Sequence, residues 1–177
     1  RAGEVVVSTG SIERPLSFGN NDRPGIFLAS AATEYMKVYG TLVGKKPIIF
    51  TNNDSAYKAA IEFNKNNIKA LILDTRENSD GDLVKEAQSL GLDIKFNSGV
   101  ADVKGRLKIS SATIGKLNSD KDSFSDLEEI ECDCICMSGG WTPTVHLSSQ
   151  AGNKLKFDED LDAFVPNNKR QKETAVG

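Results

Sequence analysis

The segment IIFTNNDSAYKAA, residues 48–60, runs from an apolar stretch into a helix start through side chains that hydrogen-bond. A strand-turn-helix that holds a dinucleotide uses G-x-G-x-x-G here, so that backbone amides reach the pyrophosphate. Aligned on the small residues, Thr51, Asn53 and Ala56 fall at the three glycine positions. The first two carry side chains where the backbone should approach phosphate. Asp54 adds a carboxylate beside the same amides, where it would cap the helix and repel an anion; Asp54 or Ser55 supplies the cap. Asp74 ends the next apolar stretch 23 residues after Thr51. An acidic residue at that distance would hold an adenine ribose 2′-hydroxyl, and a strand-ending Asp in a turn accounts for it equally. Arg76 suits a 2′-phosphate or a plain surface charge. The loop is a degenerate phosphate loop, and Thr51, Asn53, Asp54, Ser55 and Asp74 are the candidates for contact with a small-molecule nucleotide.

Other reactive side chains carry less. Cys132, Cys134 and Cys136 alternate in ECDCICM, which predicts one strand face for all three. Neighbours two apart cannot form a disulfide without breaking the strand, and zinc ligand pairs span a turn. They read as small buried hydrophobes in a reducing compartment, which assigns the chain to the cytoplasm. His146 follows WTPTV with no visible Cys, Ser or carboxylate partner, and reads as a packing or surface histidine. No catalytic residue and no metal ligand is assigned.

These residues need elements to position them, and the chain alternates strands with helices. Residues 4–8 read as a strand closing on Thr9-Gly10. After a Pro-Gly turn, Leu28, Ala31, Ala32, Tyr35 and Tyr39 predict a helix over about 27–39, stopped by Gly40. Buried-type strands follow at 47–51, 69–74 and 93–97. They are separated by helices near 55–65, with Ala56, Ala59, Ala60 and Phe63 on one face, and near 81–90, with Leu83, Val84, Ala87 and Leu90. Short Gly-separated strands at 99–117 predict a β-meander, SDKDSFSDLEE reads as a polar turn, and 132–137 returns as a buried strand. The fold class is therefore α/β: a Rossmann-like parallel sheet with flanking helices and an inserted β-meander. Beyond Gly140 the order loosens, and NNKRQKE is a solvated stretch.

One pattern occurs twice. VVVSTGSIERP (5–15) and CICMSGGWTP (134–143) are both apolar strands running into small residues, a Gly and then a Pro. At 177 residues the chain suits one domain, or one domain with pieces of another. A net charge of −3 gives no electrostatic footprint for nucleic acid or an anionic membrane, and no apolar run is long enough to span a bilayer. The opening on Arg1 and the ending on ETAVG, each within an apolar run, read as an excised piece of a longer protein.

TGSIERPLSFGNNDRPGIFLASAA, FTNNDSAYKAA and SGGWTPTVHLSSQAGNKLKFDE closely resemble the α subunit of heterotetrameric sarcosine oxidase, over essentially the whole chain. Related opine, proline and glycine-oxidising dehydrogenases share weaker versions. The resemblance implies a flavoprotein class in which one dinucleotide-binding domain is inserted into another. It divides the chain into 1–40, a strip of the outer domain with a linking helix; 41–140, the inner domain; and 141–177, a return toward the outer domain. The echoing strands then mark the passages between domains, at Thr9-Gly10 and at Ser138-Gly139-Gly140. It further implies oxidative demethylation of sarcosine to glycine, formaldehyde (or methylene-tetrahydrofolate) and hydrogen peroxide. NAD would be held by the α subunit, FAD and FMN would lie elsewhere in the complex, and tetrahydrofolate would be used by a downstream domain. The β, γ and δ subunits are the implied partners. NAD is expected mainly against the outer domain, with Thr9 and Gly10 at its edge and Gly177 and the residues past it completing the site. The piece alone is expected to be inactive, because the redox cofactors sit on other segments.

Two classes of function stay open on the residues. One is a nucleotide-binding part of an oxidoreductase in direct contact with NAD. The other is an interaction domain whose pocket has decayed and which braces subunits. The runner-up identity is the α subunit of a related amine dehydrogenase.

Overall fold

The computed structural model describes residues 3–120, 122–168 and 172–176. The chain begins with two short strands, β1 (Val5–Val7) and β2 (Ser11–Glu13). It then enters a compact unit of residues 15–140, while 1–14 and 141–177 group into a smaller one. Residues 15–40 thus group with 41–140. Their loop lies along the meander, with the Gly19 amide on the Ala101 carbonyl (2.9 Å) and Asn20 Nδ2 on Asp102 Oδ1 (2.7 Å).

Within the larger unit the elements run β3 (Ile26–Leu28), α1 (Ala29–Tyr39), β4 (Pro47–Thr51), a 3-10 turn at Asp54–Ala56, α2 (Tyr57–Lys65) and β5 (Leu71–Asp74). Next come α3 (Asp82–Ser89), β6 (Asp93–Phe96), β7 (Ser98–Lys104), β8 (Ser111–Leu117), β9 (Phe124–Glu131) and β10 (Cys134–Ser138). The parallel sheet has the order β3-β10-β4-β5-β6. From β4 the chain moves outward to β5 and β6, and β10 comes back on its other side. This is a topological switch at β4, and ligand crevices in such sheets lie beyond the strand C-termini at that point.

Strand alternation divides the core. Ile49, Cys134, Cys136 and Ile72 point to the helices, where they meet Ala56, Tyr57, Ala60, Phe63 and Val84. Ile48, Phe50, Leu73, Ile135 and Met137 point the other way, onto Val100, Val103, Ala112 and Ile114 of the meander. The unit is therefore helices, parallel sheet and antiparallel sheet in three layers. Each fully buried aliphatic side chain contributes about 1.5–3 kcal/mol.

Several expectations are revised. The helix at 27–39 begins only at Ala29, because Ile26–Leu28 pairs in parallel with Ile135–Met137 as an edge strand. Its buried face is Ala29, Ala32 and Met36, and Tyr35 and Tyr39 stand out to solvent. Gly40 ends the helix as anticipated, at φ 60° with its amide on the Tyr35 carbonyl. The meander extends to Glu131, since SDKDSFSDLEE supplies most of β9 instead of a turn alone. That strand needs no apolar face on its outer side; its acids pair with lysines, Glu129 with Lys104 (2.6 Å) and Glu131 with Lys46 (2.6 Å).

The three cysteines do not share a face. Cys132 packs with the meander, whereas Cys134 and Cys136 face the helices. The period-2 alternation fails at a bend on Asp133, whose carboxylate takes the amides of Lys45 (2.8 Å) and Lys46 (2.7 Å). The Cys132 amide goes instead to the Ser110 carbonyl. Burial pushes the Cys132 thiol up to about 12.

In the smaller unit, β11 (Trp141–Pro143), α4 (His146–Gln150), β12 (Lys154–Asp158), β13 (Ala163–Asn168) and β14 (Glu173–Ala175) follow. β1 pairs in parallel with β14, β2 antiparallel with β11, and β12 with β13. Of the stretch read as solvated, residues 169–171 lie outside the described residues. Glu173 is buried and accepts from Asn153 Nδ2 (2.8 Å) and from the Ser148 hydroxyl. No helix among the described residues is long and apolar enough to cross a membrane.

Candidate functional site

Parallel register brings Ser138, Thr51 and Asp74 side by side at the C-terminal ends of β10, β4 and β5. All three are buried. The loop after Thr51 is built on its own side chains. The Thr51 hydroxyl donates to the Asn53 carbonyl (2.8 Å) and accepts the Asn53 amide (3.0 Å). Asn53 Nδ2 reaches Ser138 at its carbonyl (3.2 Å) and its Oγ (3.0 Å). Asn53 Oδ1 accepts from the Ser55 amide (3.1 Å) and the Ser55 hydroxyl (2.6 Å).

Asn53, in extended conformation at φ −150°, is therefore the cap of the helical turn, in place of Asp54 or Ser55. The reason is geometric. A cap accepts from the second or third amide onward, and only the amide side chain can do so while its nitrogen bridges to the neighbouring strand. One of the donors that would greet a pyrophosphate is already satisfied within the loop.

Asp54, released from capping, turns toward Arg76. Its Oδ1 pairs with Arg76 Nη2 at 2.7 Å and accepts from the Ser79 hydroxyl at 3.0 Å. Asp74 is fully buried, and both of its oxygens are engaged. Oδ1 accepts from the Arg76 amide (3.0 Å) and Nε (3.0 Å). Oδ2 accepts from Arg76 Nη2 (2.7 Å) and the Tyr57 hydroxyl (2.8 Å). A carboxylate offers about four lone-pair directions, and here four donors fill them.

Arg76 is held above its ordinary value, chiefly by the hydrogen bond to Asp74 and, against the penalty of burial, by Asp54. The Tyr57 phenol is also held up, first by burial and then by Asp74, so it stays a hydrogen-bond donor through the neutral range. Two carboxylates against one guanidinium leave this cluster at the strand ends net negative. At ~4 Å a further anion meets repulsion of about 1 kcal/mol even in water, and more where water is excluded.

The structure thus joins Thr51, Asn53, Asp54, Ser55 and Asp74 at one end of the sheet. Thr9 and Gly10 belong to the smaller unit, where both are exposed. There the Thr9 hydroxyl donates to the Thr144 carbonyl (2.7 Å), and the Thr144 amide to the Gly10 carbonyl (2.9 Å). Gly177 lies outside the described residues. His146 is exposed at the start of α4. Sequence reasoning missed Tyr57, Ser79, Gly81 and Ser138. A signal existed for Tyr57 alone: it is a large hydroxylated residue on a helix face otherwise made of alanines, Ile61 and Phe63.

No family model matches the chain. Curated relatives called sarcosine oxidase subunit alpha match it at 32–34% identity. That of Corynebacterium sp. (strain P-1) is 34% identical over 168 residues, which are 94% of this chain and 17% of the relative. The chain therefore spans a minor part of the length of the curated relatives it matches. Among solved structures, L-proline dehydrogenase from P. horikoshii is similar with a TM-score of 0.64 at 22% identity, over 98% of this chain and 29% of that one. T. acidophilum thioredoxin reductase is similar with a TM-score of 0.70 at 16% identity, over 98% of this chain and 56% of that one. Nearly the whole chain thus matches one segment of the sarcosine oxidase α subunits, and its fold, a Rossmann-like parallel sheet with helices and an antiparallel meander, is that of the corresponding parts of these solved structures.

Proposed function

We propose that this chain serves as the inner, bracing Rossmann domain of a sarcosine oxidase α subunit, with its own dinucleotide crevice closed by protein side chains. One observation carries the reading: every acceptor position of Asp74 is taken by Arg76 and Tyr57, so an adenosine ribose finds no free carboxylate oxygen. The crevice does not fit a dinucleotide. The Asn53 side chain occupies the turn where the backbone must approach phosphate, and Asp54 makes the crevice net negative.

The parent complex, in this reading, oxidatively demethylates sarcosine to glycine, formaldehyde or methylene-tetrahydrofolate, and hydrogen peroxide. Its FAD, FMN and tetrahydrofolate are handled by other segments or by the β, γ and δ subunits. Its NAD rests mainly on the outer domain, with Thr9, Gly10 and Gly177 at the edge. No residue of this chain is assigned a catalytic role. The similarity to sarcosine oxidase subunit alpha supports this placement, and the fold of the solved oxidoreductases supports a nucleotide-binding ancestry for the crevice.

The test is titration of NAD into the purified chain, followed by amide NMR of residues 51–56 and 74–81. The reading expects no saturable shift at millimolar ligand and no peroxide from sarcosine. Saturable binding centred on Asp74 would return the domain to the directly NAD-contacting class.

A further inference from the structure

Gly81 precedes α3 with φ −60° and ψ 153°, a conformation open to any residue, so its lack of a side chain needs another reason. The reason is Asp54. A methyl group on Gly81 would overlap Oδ2 of Asp54 and lie 2.7 Å from its Cγ. The carboxylate sits against the glycine, with the Ser79 hydroxyl and Arg76 Nη2 on its Oδ1 at 3.0 and 2.7 Å. A half-buried guanidinium, a hydroxyl and a bare Cα surround a single anionic group, and that group is the protein's own.

We infer that Asp54 and Gly81 form a built-in latch, in which the Asp54 carboxylate occupies the anion seat beside Arg76 and keeps the crevice closed to phosphorylated nucleotides. This rests on the closed-crevice reading above and adds to it that the seat is blocked and not dismantled. Arg76 keeps its position through Asp74, which grips Nε and Nη2 from below. Nη1 has no hydrogen-bond partner among the described residues, and the side chain is 30% exposed. Displacing Asp54 would present Nη1 and the freed edge of Nη2 together, a fork suited to two oxygens of a phosphate monoester. Removing the Asp54 charge also takes the crevice from net negative to neutral. The ligand class is thus a nucleotide with a terminal monoester phosphate, and not a plain diphosphate bridge.

Two independent measurements test the latch. The first compares binding of adenosine 2′,5′-bisphosphate by the wild-type chain, Asp54→Asn and Gly81→Ala. Wild type should be silent at millimolar probe. Both variants should bind at least tenfold tighter, with affinity falling as salt rises. The second is a thermodynamic cycle in urea. Gly81→Ala should lower the unfolding midpoint in the wild-type background and cease to do so beside Asp54→Ala, where the obstructing carboxylate is gone. Variants that bind within twofold of wild type, or a Gly81→Ala loss unchanged by Asp54→Ala, would overturn the latch. In either case a silent wild type leaves the closed-crevice reading standing, whereas saturable NAD binding by wild type defeats that reading first.

Discussion

Replacing Tyr57 by Phe removes one oxygen atom from a site where both partners are fully buried. Tyr57 and Asp74 each have 0% exposure, and the hydroxyl donates to Asp74 Oδ2 at 2.8 Å. A hydrogen bond to a charged acceptor contributes about 1.5–3 kcal/mol. Asp74 keeps three donors from Arg76 after the change, so the carboxylate is not stranded and the cost should fall near 2 kcal/mol. With a urea slope of about 2 kcal/mol/M, the unfolding midpoint should drop by roughly 1 M. Breaking the same network at Asp74 by Asp74→Ala should cost more, about 3–5 kcal/mol, because it leaves Arg76 half-buried without its main counterion. The pH dependence is a second readout. The folded phenol is raised, first by burial and then by Asp74. Its contribution is fully present below the unfolded value, about 10, and is lost as pH climbs through the folded one. Between the unfolded and the folded values the unfolded chain binds fewer protons than the folded chain, so stability falls by up to about 1.4 kcal/mol per pH unit. Urea titrations at pH 7 to 11 should show this slope in wild type and a shallower one in Tyr57→Phe. A midpoint loss under 0.2 M, or identical alkaline slopes, would refute the Tyr57–Asp74 assignment.

Three further outcomes are expected. Burial opposes ionisation of Asp133, yet the Lys45 and Lys46 amides hold its carboxyl below the ordinary range. Its contribution is therefore present above about pH 4 and lost as pH falls through the lowered value, and Asp133→Ala should cost about 1–2 kcal/mol at pH 7 and progressively less in acid. Gly105 sits at φ +149°, with Ile109 Cα 2.9 Å from where a Cβ would stand. Gly105→Ala should destabilise the meander by more than about 2 kcal/mol, measured as lost amide protection over β7 and β8. The thiols of Cys132, Cys134 and Cys136 are all buried, and Cys132 is pushed up to about 12 by burial. A chromogenic disulfide reagent at pH 8 should therefore titrate them only after unfolding, and rapid native modification would contradict the packing.

Much of the architecture is already present in local pattern. Ile48–Phe50, Leu71–Leu73 and the run after Cys134 are too uniformly apolar for anything but strands buried on both faces. The intervening alanine-rich stretches have helical period, and Gly40 stops its helix in the sequence as in three dimensions. Those signals are local, because periodicity and conformational preference act between residues a few positions apart. That Thr51 and Asp74 are polar residues ending buried strands, with Asn53 and Asp54 in the turn after the first, was legible for the same reason.

What the sequence left open depends on partners distant along the chain. Ile26–Leu28 is a strand only because Ile135–Met137 lies beside it, 109 residues further on; by its own pattern it extends the following helix. Cys132 leaves the face of Cys134 because Asp133 is drawn to the amides of Lys45 and Lys46. The role of Asp74 turned on Tyr57, from the start of the preceding helix, and that of Asp54 on Arg76 and a bare Gly81. Hydrogen bonds and ion pairs of this kind act over about 3 Å. A residue's type establishes that a buried carboxylate needs donors; only the tertiary arrangement decides whether those donors come from a nucleotide or from the protein, and here they come from the protein.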